Sequence, residues 1–153
     1  MKAVISRSGF TAIELAVVMG VILLMVGLTL PAISRSMRKG RLAESFNTFQ
    51  SMHQQAMSGA QQFRMTYGEI KPIKLEVVMD PTKKTNEIKL SIGDSITSYT
   101  MPPTVEAEPG TIFYTIGTGL PASPGSFNFR TIDGKDQTRI YIAASGLTKV
   151  ESQ

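Results

Sequence analysis

From Leu15 to Ser34 the chain runs for 20 residues without a charged side chain, bracketed by Glu14 and Arg35. At about 1.5 Å per residue, a helix of that length crosses the roughly 30 Å of a bilayer's hydrocarbon. Any fold for this chain must therefore place one long apolar rod, and water is a poor place for it. Gly20, Gly27 and Pro31 lie inside the run. In a soluble helix each would cost stability. In a membrane helix neighbouring helices can re-satisfy the backbone, and the glycines let another helix approach closely. Pro31 removes a backbone donor and is expected to bend or loosen the helix locally. A single carboxylate, Glu14, stands at the leading edge, and an ionisable group at a membrane boundary is by default a functional residue with a partner.

The flanks carry the charge. The net charge is +4 over 153 residues, with Lys2 and Arg7 ahead of the run and Arg35, Arg38, Lys39 and Arg41 just after it. From Leu42 onward there are 10 basic and 11 acidic residues, so the remainder is close to neutral. The leader charges favour a cytoplasmic N-terminus, and the cluster after the run argues the other way; charge counting alone leaves orientation open. A secretory signal peptide would put its cleavage site after the apolar block, where Ala32-Ile33-Ser34 is a poor imitation of one. No cysteine is present, which removes disulfides and thiolate chemistry.

The residues around Glu14 carry a resemblance. Gly9-Phe10-Thr11-Ala12-Ile13-Glu14-Leu15, behind a short basic leader, resembles the processing and N-methylation motif of type IV pilins and type II secretion pseudopilins. Ala12 departs from it, standing where that family often has Leu. The resemblance covers about the first third of the chain and implies an N-terminus inside. It further implies cleavage between Gly9 and Phe10 by a membrane aspartyl prepilin peptidase and N-methylation of Phe10. Glu14 would neutralise the new amine of a neighbouring subunit during assembly on an inner-membrane platform. The alternative for Glu14 is local: stabilising its own helix N-terminus through the macrodipole. Pro31 sits where helices of that family commonly kink.

Beyond Ser34 the helical period continues. Leu42, Phe46, Phe49, His53, Ala56, Ala60 and Phe63 fall on one face, and Gly68 with Pro72 reads as a stop. The period then switches to two. Ile73, Leu75, Val77 and Met79 predict a strand with one apolar face, and Ile88, Leu90 and Ile92 its hairpin partner. Further strands are expected at Ile96–Met101, Thr111–Ile116, Ser126–Ile132 and Thr138–Ala144, the last two joined around Asp133-Gly134. Glu106–Gly110 and Gly117–Gly125 read as loop, and Ser145–Gln153 closes the chain. The expected divisions are a leader (1–9), a membrane or filament-core helix (10–34), its amphipathic continuation (35–67) and a β-rich head (68–153).

The fold class is then α+β: one long helix, half in the membrane, whose striped half covers an antiparallel sheet. The pattern of Ile112-Phe113, Gly117, Leu120-Pro121, Arg139 to Ile142 and Ser145-Gly146 more loosely resembles the minor pseudopilin H class and its minor-pilin relatives.

Chemistry elsewhere is sparse. His53, the lone histidine, has no Ser, Cys or metal-ligand set at a recognisable spacing and is expected to be a satisfied, partly buried side chain. Gly117-Thr118-Gly119 superficially resembles a phosphate loop but lacks the following helix. Asp80, Asp94, Asp133 and Asp136 read as turn formers, without a calcium-loop pattern. No cofactor or metal is expected, and nothing points to an enzyme. The basic cluster suits anionic headgroups or filament neighbours. Nucleic acid is the lesser alternative, because the rest of the chain is neutral. The expected role is a minor pseudopilin or minor pilin. A major pilin, a DNA- or surface-binding minor pilin, and an ordinary single-span protein whose head binds a soluble partner remain as alternatives.

Overall fold

The computed structural model describes residues 11–62, 71–80, 82 and 85–152. Gly9, Phe10, Phe63 and Gly68, all named above, lie outside them. The architecture is α+β, with one long helix, α1 (Ala12–Gln62), followed by eight antiparallel strands. The chain divides into two compact units, residues 1–37 and 38–153.

In the first unit every described residue, Thr11 to Met37, is exposed. Leu23 is 71 % exposed and Leu28 77 %, values no water-facing helix surface sustains over five turns. This segment of α1 is long and apolar enough to cross a membrane.

The second unit begins with the remainder of α1. Leu42, Ser45, Phe49, Met52, His53, Ala56 and Ala60 are its buried face. The periodicity had Phe46 in place of Ser45 and Met52. Phe46 instead packs half-buried at the core's margin, its ring edge-on to Phe129 at 6.1 Å. Ser45 is tolerated inside because its hydroxyl donates to the Arg41 carbonyl one turn back (3.0 Å).

Two four-stranded sheets pack around that face. The first has the order β3-β2-β1-β5, from β1 (Ile73–Asp80), β2 (Thr85–Ile92), β3 (Ser95–Thr100) and β5 (Gly110–Tyr114). The second has the order β4-β6-β7-β8, from β4 (Val105–Ala107), β6 (Gly125–Thr131), β7 (Gln137–Ile142) and β8 (Thr148–Ser152). Alternation puts Ile73, Leu75, Val77, Ile88, Leu90, Ile112, Phe127, Phe129, Ile140 and Ile142 into one shared core. Phe49 lies at its centre, 4.7 Å from the Phe127 ring and 5.3 Å from the Phe129 ring.

Three strand-level expectations change. Met79, expected on the apolar face of β1, is 58 % exposed. It lies past Val77, where pairing to β5 stops at Gly110. The stretch expected to be loop after Val105 contains β4, which pairs Val105, Glu106 and Ala107 with Thr131, Arg130 and Phe129. The tail forms β8, paired with β7 from Thr138↔Ser152 to Ile142↔Thr148. The hairpin around Asp133-Gly134 forms, with Gly134 at φ 66° and a closing bond from Thr131 N to the Asp136 carbonyl (2.9 Å).

A buried side chain ties the two sheets together. Asn86 of β2 donates from Nδ2 to the Ala107 carbonyl of β4 (2.7 Å), and its own carbonyl accepts from Met101 N (2.8 Å).

Candidate functional site

The start of α1 carries the strongest expectation. Thr11 and Glu14 form a reciprocal cap there. Glu14 Oε2 accepts from Thr11 N (2.8 Å) and from Thr11 Oγ1 (2.9 Å), while Thr11 Oγ1 accepts from Glu14 N (3.3 Å). This is the capping box, a Thr with a Glu three residues on, which satisfies helix donors that have no intrahelical partner. The spacing was legible in the sequence and is a signal that the membrane-edge argument passed over. The carboxylate remains exposed, so the cap orients it without burying it.

Further along, Gly20 and Gly27 have nothing beyond their own stretch of helix backbone within 4 Å of where a Cβ would stand, and both are exposed. The helix assignment runs unbroken through Pro31. Thr29 Oγ1 donates to the Met25 carbonyl (3.0 Å).

The basic cluster divides. Arg35 and Arg41 are exposed. Arg38 pairs with Asp133 (3.7 Å) and Lys39 with Asp136 (3.2 Å), both in the β6–β7 turn. That turn is itself ordered. Thr131 Oγ1 donates to Asp133 Oδ1 (2.6 Å) and accepts from Asp136 N (3.2 Å). The bond from Thr131, with Lys135 N and Arg38 adding to it, holds the Asp133 carboxyl below the usual carboxylate range. The two aspartates expected to be simple turn formers therefore also hold two of the four cluster cations. Exposed pairs of this kind fix geometry more than they add stability.

His53 is buried against Tyr114 of β5, its Nδ1 2.6 Å from the Tyr114 hydroxyl. Its Nε2 is buried without a hydrogen-bond partner among the described residues. The ring is thus half satisfied where full satisfaction was expected. Burial pushes the His53 pKa down, and the nearby Gly146 backbone opposes this to a smaller degree without forming a bond of good geometry. Burial also pushes the Tyr114 phenol up, so it stays protonated and can donate to Nδ1.

This arrangement has a pH consequence. A histidine whose folded pKa lies below its ordinary value of about 6.5 binds its proton more readily when the chain is unfolded. Stability is then complete well above pH 6.5. It falls as pH drops below that value, by at most about 1.4 kcal/mol per pH unit for one proton, and the loss levels off below the folded pKa. His53 is the lone histidine of the chain, so the thermal stability of the detergent-solubilised protein should fall between pH 7 and 5.5. In His53→Gln that dependence should be nearly flat. An unchanged slope in the variant would remove His53 as its source.

Gly117-Thr118-Gly119 does not form a phosphate loop. It seats on the end of α1. Gly117 N donates to the Ala60 carbonyl (2.9 Å), and Gln61 Nε2 donates to the Thr118 carbonyl (3.3 Å). One orphan carbonyl of the helix terminus is satisfied in this way.

Among the described residues no group of three or more His, Cys, Asp or Glu side chains converges as a metal site would require. An open groove of about 620 Å³ lies beside Ser126, Tyr141, Leu147 and Lys149. Comparison with family models, curated proteins and solved structures gave no match.

Proposed function

We propose that the chain is a membrane-inserted structural subunit of the prepilin type, a minor pseudopilin or minor pilin, rather than an enzyme. The supporting observation is the contrast within one helix. Thr11–Met37 is wholly uncovered and uncharged apart from Glu14 and Arg35, whereas the stretch from Leu42 onward is packed against two sheets. A helix that leaves such a surface bare needs lipid or other helices as its environment. In this reading the leader is removed after Gly9 and Phe10 is methylated. The head is extracytoplasmic, with the N-terminus first facing the cytoplasm across the inner membrane. Glu14, presented by its Thr11 cap, meets the cationic terminus of an adjoining subunit. Two charges brought together at low dielectric attract far more strongly than in water. Gly20 and Gly27 offer bare backbone for the neighbouring helix, and Pro31 supplies a weak point at which the packed helices adjust. The pairing of Arg38 and Lys39 with the β6–β7 turn takes half of the basic cluster away from nucleic acid and leaves Arg35 and Arg41 for headgroups or neighbours.

Mass spectrometry of the membrane-extracted protein tests the reading. The expected species begins at Phe10 and carries one added methyl group. Full-length native material starting at Met1 would sink it. Glu14→Ala should be cleaved normally yet enter filaments poorly, because removing one partner of a desolvated pair costs about 3–5 kcal/mol. Incorporation at the wild-type level would remove Glu14 from the assembly step.

A further inference from the structure

The second sheet ends in β8, and its outer edge is open. All five residues of β8 are exposed. Ala143 N donates to the Leu147 carbonyl (2.9 Å), which sets the ladder's alternation. Counting along the register to Ile142↔Thr148 and beyond, Lys149 and Glu151 turn their backbone groups toward β7. Thr148, Val150 and Ser152 turn theirs outward, where no described strand receives them.

An open edge is a template for another strand, and proteins commonly blunt it with a lysine. Here Lys149 is balanced by Glu151 two residues on, and the pair lies along the strand at 2.7 Å. The balance makes the edge self-complementary. Three antiparallel registers let at least two outward-facing residues of one β8 meet those of a second copy. Centring on residue 149 puts Lys149 against Lys149. Centring on residue 151 puts Glu151 against Glu151. Centring on Val150 puts Lys149 against Glu151 twice, and like charges directly opposite are destabilising while opposite ones are favourable.

We propose that two copies of this chain join through their β8 edges, centred on Val150, to make a continuous eight-stranded sheet from the two four-stranded ones. Val150 exchanges both backbone bonds with its symmetry mate, and Thr148 does so with Ser152 of the other copy. The Lys149–Glu151 contacts then fall at the non-hydrogen-bonded positions, where side chains approach most closely. Val150 lies on the same face as Ile140 yet is 43 % exposed, because the core does not extend over it; its mate covers it. Among the other edge strands, β3 has no charged residue to select one register over its neighbours. This pairing is independent of the filament reading, since it uses neither Glu14 nor the apolar segment.

The test uses the full chain in its membrane. Because the protein has no cysteine, Val150→Cys introduces a single thiol at the two-fold position, and mild oxidation followed by a non-reducing gel reports pairing. A band at twice the chain's mass is expected, well above that of Ile96→Cys on β3. Adding Lys149→Glu, which opposes like charges at both contacts, should lower the cross-linked fraction about fivefold. The swap Lys149→Glu with Glu151→Lys should restore it. Thr148→Pro, which removes an outward N–H without touching the β7 ladder, should also lower it. The proposal is overturned by a yield no greater than that of Ile96→Cys, by insensitivity to Lys149→Glu, by failure of the swap to restore pairing, or by a cross-linked band of another mass, which would assign the edge to a different protein.

Discussion

Phe49→Ala should lower the unfolding free energy of the head by about 3–5 kcal/mol. The side chain is fully buried and touches both Phe127 and Phe129. Truncation removes its transfer free energy, leaves a cavity that the paired strands of β6 cannot collapse into, and breaks two aromatic contacts worth roughly 0.5–1.5 kcal/mol each. A domain of this size has only about 5–15 kcal/mol to lose. The melting temperature of the detergent-solubilised chain should therefore fall by about 10 °C or more. Phe49→Leu, which keeps most of the volume, should cost much less. Equal shifts in the two variants would show that the cavity is not the cause.

Gly119→Ala should be nearly as damaging, by a different route. Gly119 sits at φ 71°, and a Cβ there would stand 2.5 Å from the Met57 carbonyl oxygen and 2.6 Å from Gln61 Cγ. The glutamine side chain can move; the helix backbone cannot. Left-handed strain of roughly 1–2 kcal/mol adds to an overpacking cost of about 1–3 kcal/mol. Gly117 has a similar φ of 91° but open space around it. Gly117→Ala therefore isolates the strain, and the difference between the two variants isolates the clash. Chemical denaturation should rank Gly119→Ala well below Gly117→Ala; the reverse order would mean that the loop does not bear on α1 at Met57.

Periodicity in the sequence carried much of this fold. The switch from period three-and-four to period two near Pro72 located α1 and β1. Asp133-Gly134 located the β6–β7 hairpin because that dipeptide suits a left-handed turn position. The short strands were hidden for physical reasons. Val105-Glu106-Ala107 is too brief to show alternation, and it forms because β6 offers an edge. Thr148–Ser152 lacks an apolar face because no part of the core covers it. Ser45 and Met52 were passed over since hydroxyl and thioether side chains do not advertise burial, although their positions fit the helical stripe. At the candidate site, Glu14 was legible from charge alone. The Thr11 cap was equally readable from spacing, whereas the ties from Arg38 and Lys39 to Asp133 and Asp136 join residues about a hundred positions apart and leave no local trace.

The amide of Asn86, set between β2 and β4, has a consequence for how the head comes apart. Parting the two sheets would break the bond from Asn86 Nδ2 to the Ala107 oxygen while baring the aromatic cluster they share. Neither half can melt and leave the other standing. Protected amides in β1 and β6 should exchange with solvent deuterium at one common rate, through a single opening of the whole head.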